Sequence, residues 1–347
     1  MEAVKQSVCI KAKEATMSYD PWTEDYQRMS LCFAKTLNWS DTDAATKAIA
    51  DFKRAYTQNR HSLPQTDSER AFHLVAEAAS LIDYRLPFSD ENTAEKIINT
   101  AHDLLNEATT LDKNCHDAQR MLAASRCPSF EAYYRFLKDR LDQVRSDCEA
   151  ARDAVCGHTI LDEELARELA MRPYIRWAAT LAVRALICGR YRVAADLLQE
   201  LLDIDPQDRS GARYTAALVY AKLEDEQALE SIALCTLRLG DPAHEDAWML
   251  LARIALAYKR RDIQAAELFL HELMSSYPQA AAVLMRQDEL PDGVFCRISV
   301  RPFSEDELTL AVSEASVLLQ EGCDDGAHGP LGNWLARRAE DLLKSEA

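Results

Sequence analysis

The chain has 347 residues, enough for two ordinary domains or one continuous repeat array, and enough to bury a substantial core. Forty Lys and Arg stand against 57 Asp and Glu, a net charge of −17, which argues against nucleic acid or an anionic membrane surface as the main partner. With 48% hydrophobic and 28% charged residues, and only 9 Gly and 11 Pro, the composition is that of a folded soluble protein and excludes disorder as the main state.

At the N-terminus, Met1-Glu2-Ala3-Val4-Lys5-Gln6-Ser7-Val8-Cys9 lacks the apolar run of a signal peptide, and the longest apolar stretch, from Trp177 to Cys188, is interrupted by Arg184. A cytoplasmic chain is expected. The cysteines, Cys9, Cys32, Cys115, Cys127, Cys148, Cys156, Cys188, Cys235, Cys296 and Cys323, lie far apart with no C-x-x-C pair, and read as reduced thiols.

Ala, Leu, Glu, Arg and Asp dominate, β-branched alternation is nearly absent, and apolar residues recur at three and four positions. The expectation is an all-α fold. Turn signals at Ser40-Asp41, His61 to Thr66, Leu86 to Asn92, Cys127-Pro128, Gly157, Gly189-Arg190, Asp205 to Ser210, Gly240-Asp241-Pro242, Tyr277-Pro278, Pro291-Asp292-Gly293 and Glu321 to Asn333 divide it into helical segments. Residues 1–66 are expected to form an N-terminal helical region, with a cap as one reading. Residues 67–160 carry helices that include Ala101-x-x-x-Leu105-x-x-Ala108 and Leu122-Ala123. Within them a long helix over 130–155 has a heptad stripe, Tyr134, Leu141, Cys148 and Val155 with Leu137, Val144 and Ala151. The stripe reads as a core seam, and as a homodimer contact in the alternative.

Pro206, Pro242 and Pro278 recur at intervals of 36 residues. Ala182, Ala216 and Ala252 occupy one equivalent position and Ala194, Ala228 and Ala266 a second, where small residues let facing helices approach. Trp248-x-x-Leu251-Ala252 opens the third unit. This pattern resembles the tetratricopeptide repeat (TPR), with its W-x-x-L-G first helix, small residue in the second helix and closing proline. The resemblance implies an α-solenoid of TPR-like antiparallel helix hairpins winding as a right-handed superhelix. It would comprise degenerate units over 67–160, three repeats over 161–280 and a C-terminal helical cap over 281–347.

Arg172-Pro173-Tyr174-x-Arg176, Gly189-Arg190, Leu202-x-Ile204-x-Pro206-x-Asp208-x-x-Gly211-x-Arg213-Tyr214 and the closing Gly329-Pro330-Leu331-Gly332-Asn333-Trp334-Leu335 resemble the suppressor-of-tumorigenicity-7-like group of helical repeat proteins and its soluble bacterial relatives. The likeness extends from residue 92 to the end. Eukaryotic members of that group are membrane-associated and this sequence lacks a spanning segment, so location is not carried over, and the group supplies no catalytic residues.

Chemical motifs are sparse. Cys115-His116-Asp117 has catalytic residue types, but three adjacent side chains at a helix entry diverge. Gly326-Ala327-His328-Gly329-Pro330-Leu331-Gly332 has neither a preceding strand nor a Gly-Lys-Ser/Thr, and reads as a turn. His271-Glu272 lacks the second zinc histidine, and Cys323-Asp324-Asp325-Gly326 lacks the spacing of a calcium loop. Ser304 with Glu307 forms a capping box. From Pro302 to Ala336 seven acids accumulate without a Lys or Arg, read as a solvated face, or as a docking site for a basic partner.

The candidate partner-binding residues are Arg172, Tyr174, Arg176, Arg213, Tyr214, Trp248, Arg253 and Tyr258, on or beside the first helices of the three repeats, which line the concave side of a superhelix. The competing reading has Arg176 and Arg213 paired with Asp203, Asp205 or Asp208 as internal fastenings. Ala179, Val183, Thr215 and Val219 occupy the positions where a carboxylate clamp needs Lys and Asn, so chaperone C-termini are not the expected partner. The functional expectation is a non-catalytic scaffold or adaptor that binds a peptide or helix, with no catalytic, cofactor or metal residues. The alternative is a helical small-ligand protein or enzyme with a site in the N-terminal region or under the Gly322–Gly332 loop.

Overall fold

The computed structural model describes residues 20–155, 163–239, 244–290, 300–323 and 328–346. Among them are sixteen α-helices, two 3-10 turns and no strand, so the all-α expectation holds. No described helix is long and apolar enough to cross a membrane. The chain divides into two compact units, one within residues 19–177 and one within 178–347. The turn signals at Gly157, Gly240-Asp241-Pro242 and Pro291-Asp292-Gly293 lie outside the described residues.

The first unit comprises α1 (Pro21–Lys35), α2 (Thr42–Asn59), α3 (Asp67–Tyr84), α4 (Glu91–Leu111), α5 (His116–Arg126), α6 (Phe130–Asp153) and α7 (Glu163–Ile187) as far as Trp177. Local chemistry sets most of the starts. Asp20, Asp41, Asp90 and Ser129 each accept an amide of the first turn, and Thr66 and Glu69 close a reciprocal capping box. The core runs through Ala71, Val75 and Ala78 of α3, Ala101, Leu105 and Ala108 of α4, and Ala118 and Leu122 of α5. The alanines let α3 and α4 approach closely. On α6 the heptad stripe turns inward at Tyr134, Leu137, Val144 and Cys148, and Ala151 stays exposed. Trp177 of α7 is buried against it, its indole N–H donating to the Leu137 carbonyl (2.9 Å).

The second unit continues α7 and adds α8 (Tyr191–Ile204), α9 (Ala212–Leu223), α10 (Glu226–Leu239), α11 (Ala247–Lys259), α12 (Ile263–Ser276), α13 (Ala280–Arg286), α14 (Glu305–Glu314), α15 (Ser316–Leu319) and α16 (Pro330–Glu346). One turn recurs three times. Gly189, Glu224 and Arg261 have φ of +72°, +58° and +62°. In each case the next amide reaches back five residues, Arg190 to Ala185 (2.7 Å), Asp225 to Tyr220 (3.0 Å) and Asp262 to Ala257 (2.9 Å). This is the Schellman closure of a helix C-terminus. It joins α7 to α8, α9 to α10 and α11 to α12, and α9 packs on α8, α10 and α11.

The shared turn corrects the sequence register by one residue. Ala194 and Ala266 lie five residues past their turns and are buried; the residue five past Glu224 is Leu229, also buried, whereas Ala228 is half-buried. The glycine-rich stretch also differs from expectation. Pro330-Leu331-Gly332 opens α16, since the fixed φ of proline suits the first helical turn. Gly332 is required by space, because a Cβ there would stand 2.7 Å from both the Leu319 carbonyl oxygen and Gln287 Oε1.

Candidate functional site

In the first unit, Arg172-Pro173-Tyr174-x-Arg176 is an internal fastening. Glu24 of α1 is 0% exposed and accepts from Arg28 Nε (2.8 Å), Arg172 Nη1 (3.2 Å) and Arg176 Nη1 (2.9 Å). Arg176 also grips the buried Asp117 with Nε (2.7 Å) and Nη2 (2.5 Å), while Arg172 reaches Glu168. Burial alone would raise the Glu24 carboxyl, but the guanidiniums of Arg176, Arg28 and Arg172 hold it far below the usual carboxylate range. Asp117 is lowered against the same burial cost, chiefly by Arg176. Tyr174 is 0% exposed, with its hydroxyl accepting from Arg145 Nε (3.1 Å).

Cys115-His116-Asp117 sits at the start of α5, where Asp117 serves this cluster and His116 Nε2 lies 3.1 Å from Asp147 Oδ2. Burial pushes the Cys115 thiol up to about 12, the reverse of an activated nucleophile.

In the second unit, Arg213 donates to Asp208 Oδ2 (3.0 Å) and lies 4.1 Å over the Tyr214 ring, which packs 4.4 Å from the ring of Trp248. Trp248, 0% exposed, donates to Glu314 Oε2 of α14 (2.7 Å). Arg253 is clamped by Glu245 (Nε to Oε2, 2.7 Å) and Glu230 (Nη1 to Oε1, 2.6 Å). The Tyr258 ring packs 5.4 Å from that of Trp334 on α16. Beside them Lys222 and Lys259 both bind Glu321, at 3.0 and 2.8 Å, and Lys222 also donates to the Val317 carbonyl (3.0 Å).

Within each unit these residues, Tyr258 apart, are buried or ion-paired: Tyr174, Tyr214 and Trp248 are buried, and Arg172, Arg176, Arg213 and Arg253 are held by carboxylates of the chain itself. Arg172, Tyr174 and Arg176 belong to the first unit and the other five to the second, where α14 packs on α11, α15 packs on α9, and Trp334 of α16 meets Tyr258. Arg213 pairs with Asp208 as one of the sequence readings has it; Arg176 pairs instead with Glu24 and Asp117, 152 and 59 residues away.

The acidic run is corrected in part. Glu305 and Asp306 are exposed, but Glu314 and Glu321 bind the hairpins' own Trp248 and lysines, and Glu307 is buried. Glu307 accepts from the Phe303 amide and burial pushes its carboxyl up to about 7; Asp246 is raised to about 6 by burial, with Arg213 opposing. One sequence signal anticipates the covered face: α9 and α11 are apolar on nearly every side, which fits helices enclosed on all faces.

No protein-family model, no curated protein and no solved structure matches this chain. Fold and site alone define the class, an all-α protein in which one turn geometry recurs at Gly189, Glu224 and Arg261 and two helix hairpins, α9–α10 and α11–α12, pack together.

Proposed function

We propose that the chain is a non-catalytic cytoplasmic scaffold of the tetratricopeptide type, its hairpins stacked as an α-solenoid in a right-handed superhelix and docking a protein or peptide partner. The observation that supports this reading is the turn repeated at Gly189, Glu224 and Arg261, together with first helices α9 and α11 packed on each other and on their own second helices. A hairpin cannot bury its apolar face alone, so stacking creates one continuous core. The likeness to the suppressor-of-tumorigenicity-7-like group enters the same proposal, with Arg172, Tyr174 and Arg176 as fastenings.

The first-helix face is occupied by the chain itself, and energetics keep it so. Freeing α14 to α16 would return Leu308, Val312, Leu318, Leu319 and Leu335, all buried, to water. At about 1.5–3 kcal/mol each the cost is on the order of 10 kcal/mol, against about 8 kcal/mol for a micromolar partner. The docking surface in this proposal is therefore the second-helix side, where Leu234 of α10 and Leu268 of α12 are 70% and 66% exposed.

The test is affinity capture with the wild-type chain and a Leu234→Glu/Leu268→Glu variant of matched helicity. A partner retained by the first and lost by the second is the expected result. Recovery of the same proteins by both chains refutes the assignment.

A further inference from the structure

Three elements of the first unit converge on a set of imidazoles and carboxylates outside the arginine cluster. His73 and Glu77 lie four residues apart on α3 and so project from one face. His61 comes from the 3-10 turn Arg60–Ser62 that follows α2. His73 Nε2 stands 3.0 Å from His61 Nδ1, and Glu77 Oε2 lies 3.9 Å from that same His61 nitrogen. The three ligand atoms all fall within 4.8 Å of one another.

The surroundings fix the chemistry of His73. Its Nδ1 is 2.8 Å from Asp25 Oδ2 on α1, and the Tyr56 hydroxyl, 2.9 Å from the same oxygen and 3.0 Å from the Trp22 carbonyl, has one proton to donate between these two acceptors. Asp25 and His73 are buried. A carboxylate at Nδ1 holds the proton there, so Nε2 carries the lone pair and points at His61. The neighbouring cation, Arg60, is held 4.3 Å over the Trp22 ring.

We propose that His61 Nδ1, His73 Nε2 and the Glu77 carboxylate bind one divalent transition-metal ion of the zinc type, with Asp25 and Tyr56 as the supporting shell. Two imidazoles select such an ion over calcium or magnesium, which take oxygen ligands. Zinc–nitrogen bonds of about 2.0–2.1 Å at a tetrahedral angle separate two ligand nitrogens by about 3.3 Å, a few tenths more than the gap between the two histidines. The His61 side chain is 62% exposed and Glu77 about a third, so they are free to make that adjustment. Three protein ligands leave a fourth position open to water or to an incoming group.

The experiment strips the tag-free, full-length chain with chelator and titrates it with Zn²⁺ by calorimetry and with Co²⁺ by visible absorption. The expected result is one ion per chain, ligand-field bands for Co²⁺, and a thermal midpoint raised by Zn²⁺. Binding is expected to weaken at least tenfold in His61→Ala and in Glu77→Gln, whose side chains are exposed enough to spare the fold. Asp25→Asn is expected to weaken it by about 10–100-fold through loss of orientation at His73. His271→Ala, on the exposed surface of α12, is expected to bind as the wild type does. Absence of stoichiometric binding, or equal affinity in the wild type, His61→Ala and Glu77→Gln, overturns the proposal.

Discussion

Arg28 donates to the carbonyl of Leu169 (2.8 Å), the acceptor that Pro173 leaves without its helical partner. Proline has no amide hydrogen, so the i−4 carbonyl of a helix that contains it is orphaned. Here a guanidinium from α1 fills the vacancy, and its Nε simultaneously holds Glu24. The Arg-Pro-Tyr-x-Arg motif thus acts as a unit: Arg172 and Arg176 bind Glu24, and Pro173 opens the carbonyl that Arg28 requires.

A double-mutant cycle reads this link directly. Arg28→Ala is expected to cost about 1–3 kcal/mol, by stranding buried groups. In a Pro173→Ala background the helix supplies its own donor to Leu169, and the Arg28→Ala cost should fall by about 0.5–1.5 kcal/mol. Urea unfolding of the four proteins measures it, and a coupling of zero would separate the two residues.

Stability should fall as pH rises through the window set by Glu307. Its carboxyl moves from an unfolded value of 4.5 up to about 7 in the fold, through burial with Asp246 nearby. Between those values the native chain holds a proton that the unfolded chain has released, so stability declines as pH rises from about 5 to about 7 and then levels off. Glu307→Gln, which keeps an acceptor for the Phe303 amide, is expected to match the wild type near pH 4. At pH 8 it should exceed the wild type by on the order of 1–3 kcal/mol. Chemical denaturation at pH 4, 6 and 8 gives the comparison; parallel pH profiles would remove Glu307 as the source.

The three hairpin turns differ in cost. Only Gly189 occupies the left-handed region without a Cβ penalty, while Glu224 and Arg261 adopt it with side chains. Arg261→Gly is expected to stabilise the chain by a few tenths to about 1 kcal/mol, and Gly189→Ala to destabilise it by about 1 kcal/mol. Thermal unfolding of the two variants should shift in opposite directions.

Much of the local structure was legible beforehand because its causes are local. Asp41 and Ser304 cap the helices they precede, the alanines of α4 face α3, and Tyr134, Leu137, Val144 and Cys148 of the α6 stripe lie in the core. The turn at Gly189-Arg190 was legible as well, whereas the register of α10 slipped by one because Ala228 resembles its counterparts while Leu229 takes their place.

The ionic pairings were not legible. Nothing in the neighbourhood of Arg176 points to a glutamate 152 residues earlier, and Glu321 gives no sign that its partners are Lys222 and Lys259. His73 and Glu77 show their four-residue spacing, but His61 and Asp25 join them only through packing of the first three helices.

The sequence by itself determined an all-α chain and the placement of most of its helices, since caps and periodicity act within a few turns of helix. Only the tertiary structure decided which charges neutralise each other and that α14 and α15 pack on α11 and α9. Electrostatic pairing and burial depend on distance in space, which positions along a chain do not specify.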